Sequence, residues 1–486
     1  MEIYSVPSEG GTEVKLNGEL VAGGDVSTHG LQFSPDGSRV LYHADQATNG
    51  IDEIYMVPST GGTPVKLNGD LVVGGDVDDD GLQFSPDGTR VLYLADQDTD
   101  GVFEIFTRVV SQGWSAASGQ WDGAGNWDQG EAPDEVMAID IRPESFATVT
   151  GPAGDTSIFS LDIGAVDTGV ATLALQPEVT LTVLNQATIA QRGELTGSGH
   201  FFVRGGIVNA GRLELEKTTV AAPTIENHGV LRGSGVVDGA ITNYGRIEVI
   251  GGDLEFIAQT TNVVSTGNIM VRDATLRFGG GMVNQGSMGL SFGTSDIFGN
   301  INNDGGTVVV SGASNVSFYD DLINNGTVRV SEGSMAVYFG SVSGTGSFTG
   351  SGTNFFEGDL SPGSSPGSMS FEGDVVLGTF ATTQVELAGV TEGEYDRLLV
   401  AGTLEVDGVL EIELLDGFSP VTATDFQIFD FGTLFGTFDS VLLPDLPGML
   451  DWDSSHLYSS GTLSVIPEPA TLPLLTLGML LAWRRR

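Results

Sequence analysis

The spacing of apolar residues is the most regular feature of the middle of this chain. Arg212-Leu213-Glu214-Leu215, Arg246-Ile247-Glu248-Val249 and Thr327-Val328-Arg329-Val330 each place an apolar residue at every second position. In an extended strand such alternation turns one row of side chains inward and the other to water. No long helical period interrupts it. Between these strands Asn-x-Gly recurs at Asn209, Asn227, Asn243, Asn284, Asn303 and Asn324, with one double interval between Asn243 and Asn284. Both residues tolerate left-handed backbone, which places the motif at corners. Gly197-Ser198-Gly199, Gly233-Ser234-Gly235 and Gly344-Thr345-Gly346 supply further tight bends. The pattern predicts a Gly/Asn-rich, right-handed parallel β-helix over residues 111–360, each turn packing on its neighbours.

The first 110 residues follow a different rule. Glu53-Ile54-Tyr55-Met56-Val57-Pro58 repeats Glu2-Ile3-Tyr4-Ser5-Val6-Pro7 at a distance of 51 residues, and Leu82-Gln83-Phe84-Ser85-Pro86-Asp87-Gly88 repeats Leu31-Gln32-Phe33-Ser34-Pro35-Asp36-Gly37. Strand, tight turn, strand is the local reading. These Ser-Pro-Asp-Gly turns resemble those of TolB-type, WD40-like propeller repeats, and the resemblance implies two blades and the opening strand of a third. That is too few to close a ring. Met1 enters the repeat midway with no leader-like segment, so the expectation is that upstream blades and a secretory leader belong to a longer gene product.

Two further segments flank the solenoid. Gly119-Gln120-Trp121-Asp122-Gly123-Ala124-Gly125-Asn126-Trp127 resembles the tryptophan-rich opening of autotransporter-like passengers, and Glu394-Tyr395-Asp396-Arg397-Leu398-Leu399-Val400-Ala401-Gly402 resembles their end segment. After Ser361-Pro362-Gly363 the repeats weaken, and residues 361–465 read as a small β-rich domain capping the exposed end. Trp452 is expected to pack in that cap. The tail carries the sharpest pattern: Pro467-Glu468-Pro469, an apolar run over 470–483, then Arg484-Arg485-Arg486. These three elements in this order resemble the PEP-CTERM sorting signal, which implies recognition and processing by an exosortase. The run is at the short end for a hydrophobic membrane helix, and the arginines would keep its end on the cytoplasmic side, leaving the bulk outside. The fold class is thus all-β: incomplete propeller blades, a parallel β-helix, a small β cap and a C-terminal hydrophobic helix.

Composition narrows the chemistry. There are 64 acidic against 19 basic residues, a formal charge of −45, which repels nucleic acid and anionic lipid. The absence of cysteine removes disulfides, thiolate metal sites and cysteine nucleophiles. Asp96, Asp98 and Asp100, at alternate positions before Gly101, suit an oxygen-ligand calcium loop, although the position of a bidentate glutamate falls on Thr107. Asp76, Asp78, Asp79 and Asp80 form a second acidic cluster. The histidines His29, His43, His200, His228 and His456 share no metal-ligand spacing. No catalytic residue is assigned, and calcium is the one cofactor the residues invite. The expected function is a non-catalytic surface or extracellular-matrix protein, a spacer or adhesin associated with exopolysaccharide. The alternative is a secreted β-helix polysaccharide lyase or glycoside hydrolase. Arg204, Arg212, Arg232 and Arg246 could line up along the turns, and a compact groove of acids with one or two arginines would identify such an enzyme.

Overall fold

A computed structural model describes residues 1–363 and 365–468. They form two compact units, Met1–Gly289 with Ile297–Asn300, and Leu290–Asp296 with the described residues from Ile301 onward.

The first unit opens with antiparallel sheets. Tyr4–Ser5 pairs with Val14–Lys15; Gln32–Phe33, Arg39–Ala44, Glu53–Pro58 and Val65–Lys66 form a four-stranded meander; Gln83–Phe84, Arg90–Ala95 and Glu104–Val109 form a three-stranded one. The central pairs are the same in both repeats, with stacked rings at 5.6 Å for Tyr42 and Tyr55 and 5.5 Å for Tyr93 and Phe106. The second meander stops at three strands because the chain changes partner just after Val109. Ser111 pairs in parallel with Ala138, and parallel stacking begins there. Trp114, Trp121 and Trp127 close this opening as a buried cluster, with Trp127 donating from its ring N–H to the Trp121 carbonyl at 2.7 Å.

From there each strand of the first unit lies parallel to the one a turn earlier. Ala138–Ile141 pairs with Ser160–Ile163, Thr180–Val183 with His200–Val203, and Arg212–Asn227 with Val230–Asn243. Residues such as Leu213, Leu231, Ile247 and Ile269 point inward and are fully buried, filling the space between the walls.

The recurring asparagines lie inside the turns, not on exposed corners. Asn209, Asn227, Asn243, Asn262 and Asn284 have no solvent exposure. Each side-chain amide donates to the next asparagine's carbonyl oxygen at 2.7–2.8 Å, across intervals of 18, 16, 19 and 22 residues. Most also donate to a backbone carbonyl on the following turn, as Asn227 does to Arg246 at 3.1 Å. Asn262 supplies the turn missing from the double interval. Most glycines of the motif have a steric role in place of the expected left-handed one, while Gly305 does take left-handed backbone, with φ of 75°. Gly229, Gly245 and Gly286 keep ordinary negative φ, and a Cβ on any of them would overlap a carbonyl oxygen of the previous turn. Gly197 and Gly233 do serve as bends, with φ of 113° and 112°.

The second unit repeats this construction with larger side chains. Asn303 donates to Asn324 at 2.8 Å, and Phe318, Tyr338 and Phe356 stack inside with ring centroids 5.3 and 4.8 Å apart. The expected cap boundary at residue 361 is displaced. Thr353–Phe356 pairs in parallel with Asp374–Leu377, Ser368–Phe371 with Arg397–Val406, and Arg397–Val406 with Phe429–Gly436, so stacking continues far beyond the Ser-Pro-Gly segment. Apolar alternation through Met369, Phe371, Val375 and Leu377 is uninterrupted, and that is what a turn requires. The cap proper is smaller: Asp425–Gln427, Thr462–Pro467 and Leu450–Asp453 form an antiparallel sheet. Trp452 belongs to it, its ring N–H donating to the Pro444 carbonyl at 2.8 Å.

Candidate functional site

The antiparallel cap carries the sorting motif. Thr462–Pro467 is the central strand of that sheet, and Leu463 and Val465 are fully buried, so the chain is held firmly up to the motif itself. Pro467 sits opposite Leu450 and lacks an N–H to donate. The Glu468 N–H then donates to the Met449 carbonyl at 2.8 Å. Pro467 and Glu468 are both exposed. Buried anchor followed by exposed motif is a geometry that leaves the signal open to a processing enzyme. Pro469, the apolar run and Arg484, Arg485 and Arg486 lie outside the described residues, as does the expected C-terminal helix. Among the described residues no helix is long and apolar enough to cross a membrane.

The acids singled out for calcium are divided by burial. Asp96 is buried, and its carboxylate accepts the backbone N–H groups of Asp76 and, at 2.8 Å, of Gly101. Those bonds hold its carboxyl below the usual range. Asp98 and Asp100 are exposed. In the preceding repeat Asp45 has the same role, accepting from Asp25 and, at 2.8 Å, from Gly50. The recurring function is therefore closure of a turn. The second cluster is likewise dispersed: Asp76 accepts from the backbone of Asp52 at 2.7 Å, Asp78 from that of Asp80 at 2.8 Å, and Asp79 pairs with the buried His43 at 3.0 Å. Burial, then the neighbouring carboxylates, push Asp52 up to about 6. Among the described residues no group of three or more His, Asp or Glu is placed to hold a metal ion.

The four arginines do not form one row: Arg212 and Arg246 share a column with Val230 between them, Arg232 stands in the next outward column between Glu214 and Glu248, and each of these three is paired. Arg212 meets Glu194 at 3.4 Å, Arg232 meets Glu214 at 2.7 Å, and Arg246 meets Glu248 at 2.6 Å. These exposed pairs contribute about 0.2–1 kcal/mol each. Arg204 stands apart, exposed and without an ion pair or side-chain hydrogen bond among the described residues. It lines a groove of about 730 Å³ together with Phe202 and Asp238, two residues that no sequence motif marks out.

Acids and an arginine also converge on an earlier pair of turns. Asp140 and Asp162 are register neighbours on adjacent turns, and Arg142 pairs with both, at 2.9 Å to Asp140. Burial pushes Asp140 up to about 6. Both acids line a cleft of about 480 Å³ that also includes Asp36, Ser38, Ser160 and Asn185.

Comparison with known proteins bears on the cap. Residues 465–486 match the family model of the PEP-CTERM protein-sorting motif. No curated protein matches the chain. The matched segment is the signal for exosortase processing, which marks the chain for export to the cell envelope or surface.

Proposed function

We propose that this is a non-catalytic structural protein of the bacterial surface or extracellular matrix, acting as spacer or adhesin in association with exopolysaccharide. One observation carries the reading: an exposed Pro467-Glu468, matched to a sorting signal, follows the stacked turns of the second unit. In each unit buried asparagines hold one turn to the next, and in the first the outward arginines are largely paired. The tail would act as a transient inner-membrane segment with Arg484–Arg486 on the cytoplasmic side. The antiparallel repeats of residues 1–110 are, on this reading, portions of propeller blades. Replacing Pro467, Glu468 and Pro469 by alanine in the native host tests the sorting claim. The normal chain is expected at the surface or in the medium, shortened at its tail, and the variant unprocessed in the membrane. Both forms remaining full-length in the cytoplasm would sink the proposal.

A second reading, a polysaccharide-cleaving enzyme, rests on Asp140 and Asp162. Neighbouring turns lie about 4.8 Å apart, close to the carboxyl separation used by retaining glycosidases. Arg142, however, is bound to both acids, the arrangement of a structural ion pair. Cleavage of a polysaccharide by the purified chain, abolished in Asp140→Asn, would favour the enzyme.

A further inference from the structure

The outer face around Phe202 differs from the rest of the first unit's surface. The register stacks Thr182, Phe202, Ala221 and Asp238 in one outward column on four successive turns. With turns about 4.8 Å apart, Phe202 and Asp238 are separated by about 10 Å, and only the methyl group of Ala221 stands between them. The resulting gap is the groove of about 730 Å³, and Arg204 and Ala258 lie on its lining. Phe202 is 38% exposed, and His200 stacks on its ring with centroids 6.1 Å apart. Arg204 and Asp238 are exposed and have no side-chain partner among the described residues, unlike Arg212, Arg232 and Arg246 on nearby turns.

We propose that this groove is a carbohydrate-binding site taking a pyranose residue of an uncharged polysaccharide. The inference rests on the matrix reading and names where on the chain the polysaccharide is held. A pyranose offers an apolar C–H face and a rim of hydroxyls, and the groove supplies a partner for each. Phe202 packs against the apolar face. Asp238 accepts hydrogen bonds from hydroxyls, and Arg204 donates to hydroxyl or ring oxygens. Ala221, with no bulk, lets the ring sit down between them. The unmatched polar groups also explain why the groove suits a ligand with both donors and acceptors better than an apolar one. A polyanion fits poorly, since Asp238 borders the groove and the chain carries a formal charge of −45.

The test uses the purified full chain with immobilised dextran, xylan, galactomannan and polygalacturonate. Retention by at least one of the three neutral polymers, persisting at high salt, is expected. Phe202→Ala and Asp238→Ala should each weaken it about tenfold, while Arg246→Ala leaves it unchanged. Circular dichroism establishes that the surface variants remain folded. If the wild-type chain is retained and both groove variants bind equally well, the site is wrong and the matrix reading stands. Retention by polygalacturonate alone, lost at high salt, overturns the ligand class. If no polymer retains the chain, the association with polysaccharide fails as well as the site.

Discussion

The first unit uses the same polar vocabulary in two ways. In the antiparallel repeats, carboxylates and amides close loops near themselves: Asp36 binds Ser34 and Ser38, Asp96 binds Gly101, and Asn68 receives the Ile54 N–H at 3.0 Å. In the parallel turns the same groups reach the neighbouring turn, as Asn227 does to Asn243. The contrast follows from topology. An antiparallel meander pairs strands that are close in sequence and must stabilise its short turns. A parallel turn has no hairpin to stabilise, and its problem is registration, since slipping by one residue would exchange the inner and outer faces. A buried ladder whose members must meet at hydrogen-bonding distance punishes that slip.

The strongest challenge to this contrast is to remove a rung of the ladder. Asn243→Ala strips Asn227 of an acceptor and Asn262 of a donor, both fully buried. A loss of about 3 kcal/mol is expected in urea unfolding. Asn209→Ala should cost less, because Asn209 begins the ladder and its side-chain oxygen has no partner. Equal effects would mean that the asparagines act singly and set no register. Arg39 tests the opposite region. Its buried guanidinium donates to the carbonyls of Gly88 at 2.9 Å and Val110 at 3.0 Å, tying one repeat to the next. Arg39→Ala should cost about 2 kcal/mol, through these bonds and the lost packing on Phe84.

How far this was legible in the sequence depends on which distances matter. The repeats of 51 residues announce themselves because the bonds that close their turns are local and keep the same spacing, as Asp45 to Gly50 and Asp96 to Gly101 do. Alternation at Leu213, Leu231 and Ile247 likewise fixes the inner face. Asn262 escaped notice because Val263, Val264, Ser265 and Thr266 separate it from Gly267, which breaks the motif while leaving the ladder intact. The role of Gly229 and Gly245 depends on how closely two turns approach, and backbone preference alone suggested a different one. The groove was hidden for a related reason. Phe202, Ala221 and Asp238 share a column only once Lys217, bulged between Glu216 and Thr218, is counted out of the register. The sorting motif needed no fold at all, since it is contiguous.

Titration separates locally bonded acids from one held in the second unit. For Asp36, burial opposes ionisation, but the hydrogen bonds of Ser34 and Ser38 prevail and hold it at about 2. A folded value below the unfolded one stabilises the fold above the unfolded value, so this contribution is lost as pH falls from 3.8 toward about 2. Asp396 runs the other way. Its carboxylate accepts from Gly367 at 2.6 Å and Glu386 at 3.0 Å, yet burial pushes it up to about 7. Its contribution is present below 3.8 and is lost as pH rises through about 7. Urea midpoints measured across that range should decline for the wild type, and Asp396→Asn should remove that component of the slope. An unchanged slope would mean that the two backbone bonds outweigh burial.

The smallest expected effect separates two roles inside one loop. If Asp96 closes a turn as Asp45 does, its exposed neighbours are dispensable. The double variant Asp98→Ala, Asp100→Ala should then unfold within about 0.5 kcal/mol of the wild type. Asp96→Ala, which leaves the Asp76 and Gly101 N–H groups without their acceptor, should cost clearly more. Adding calcium should leave all three midpoints where they were. A calcium-dependent rise in the wild type that the double variant lacks would restore the metal loop, because a ligand bound only to the folded chain must raise its stability. It would also show that the antiparallel repeats recruit an ion for a closure that the parallel turns achieve with asparagine alone.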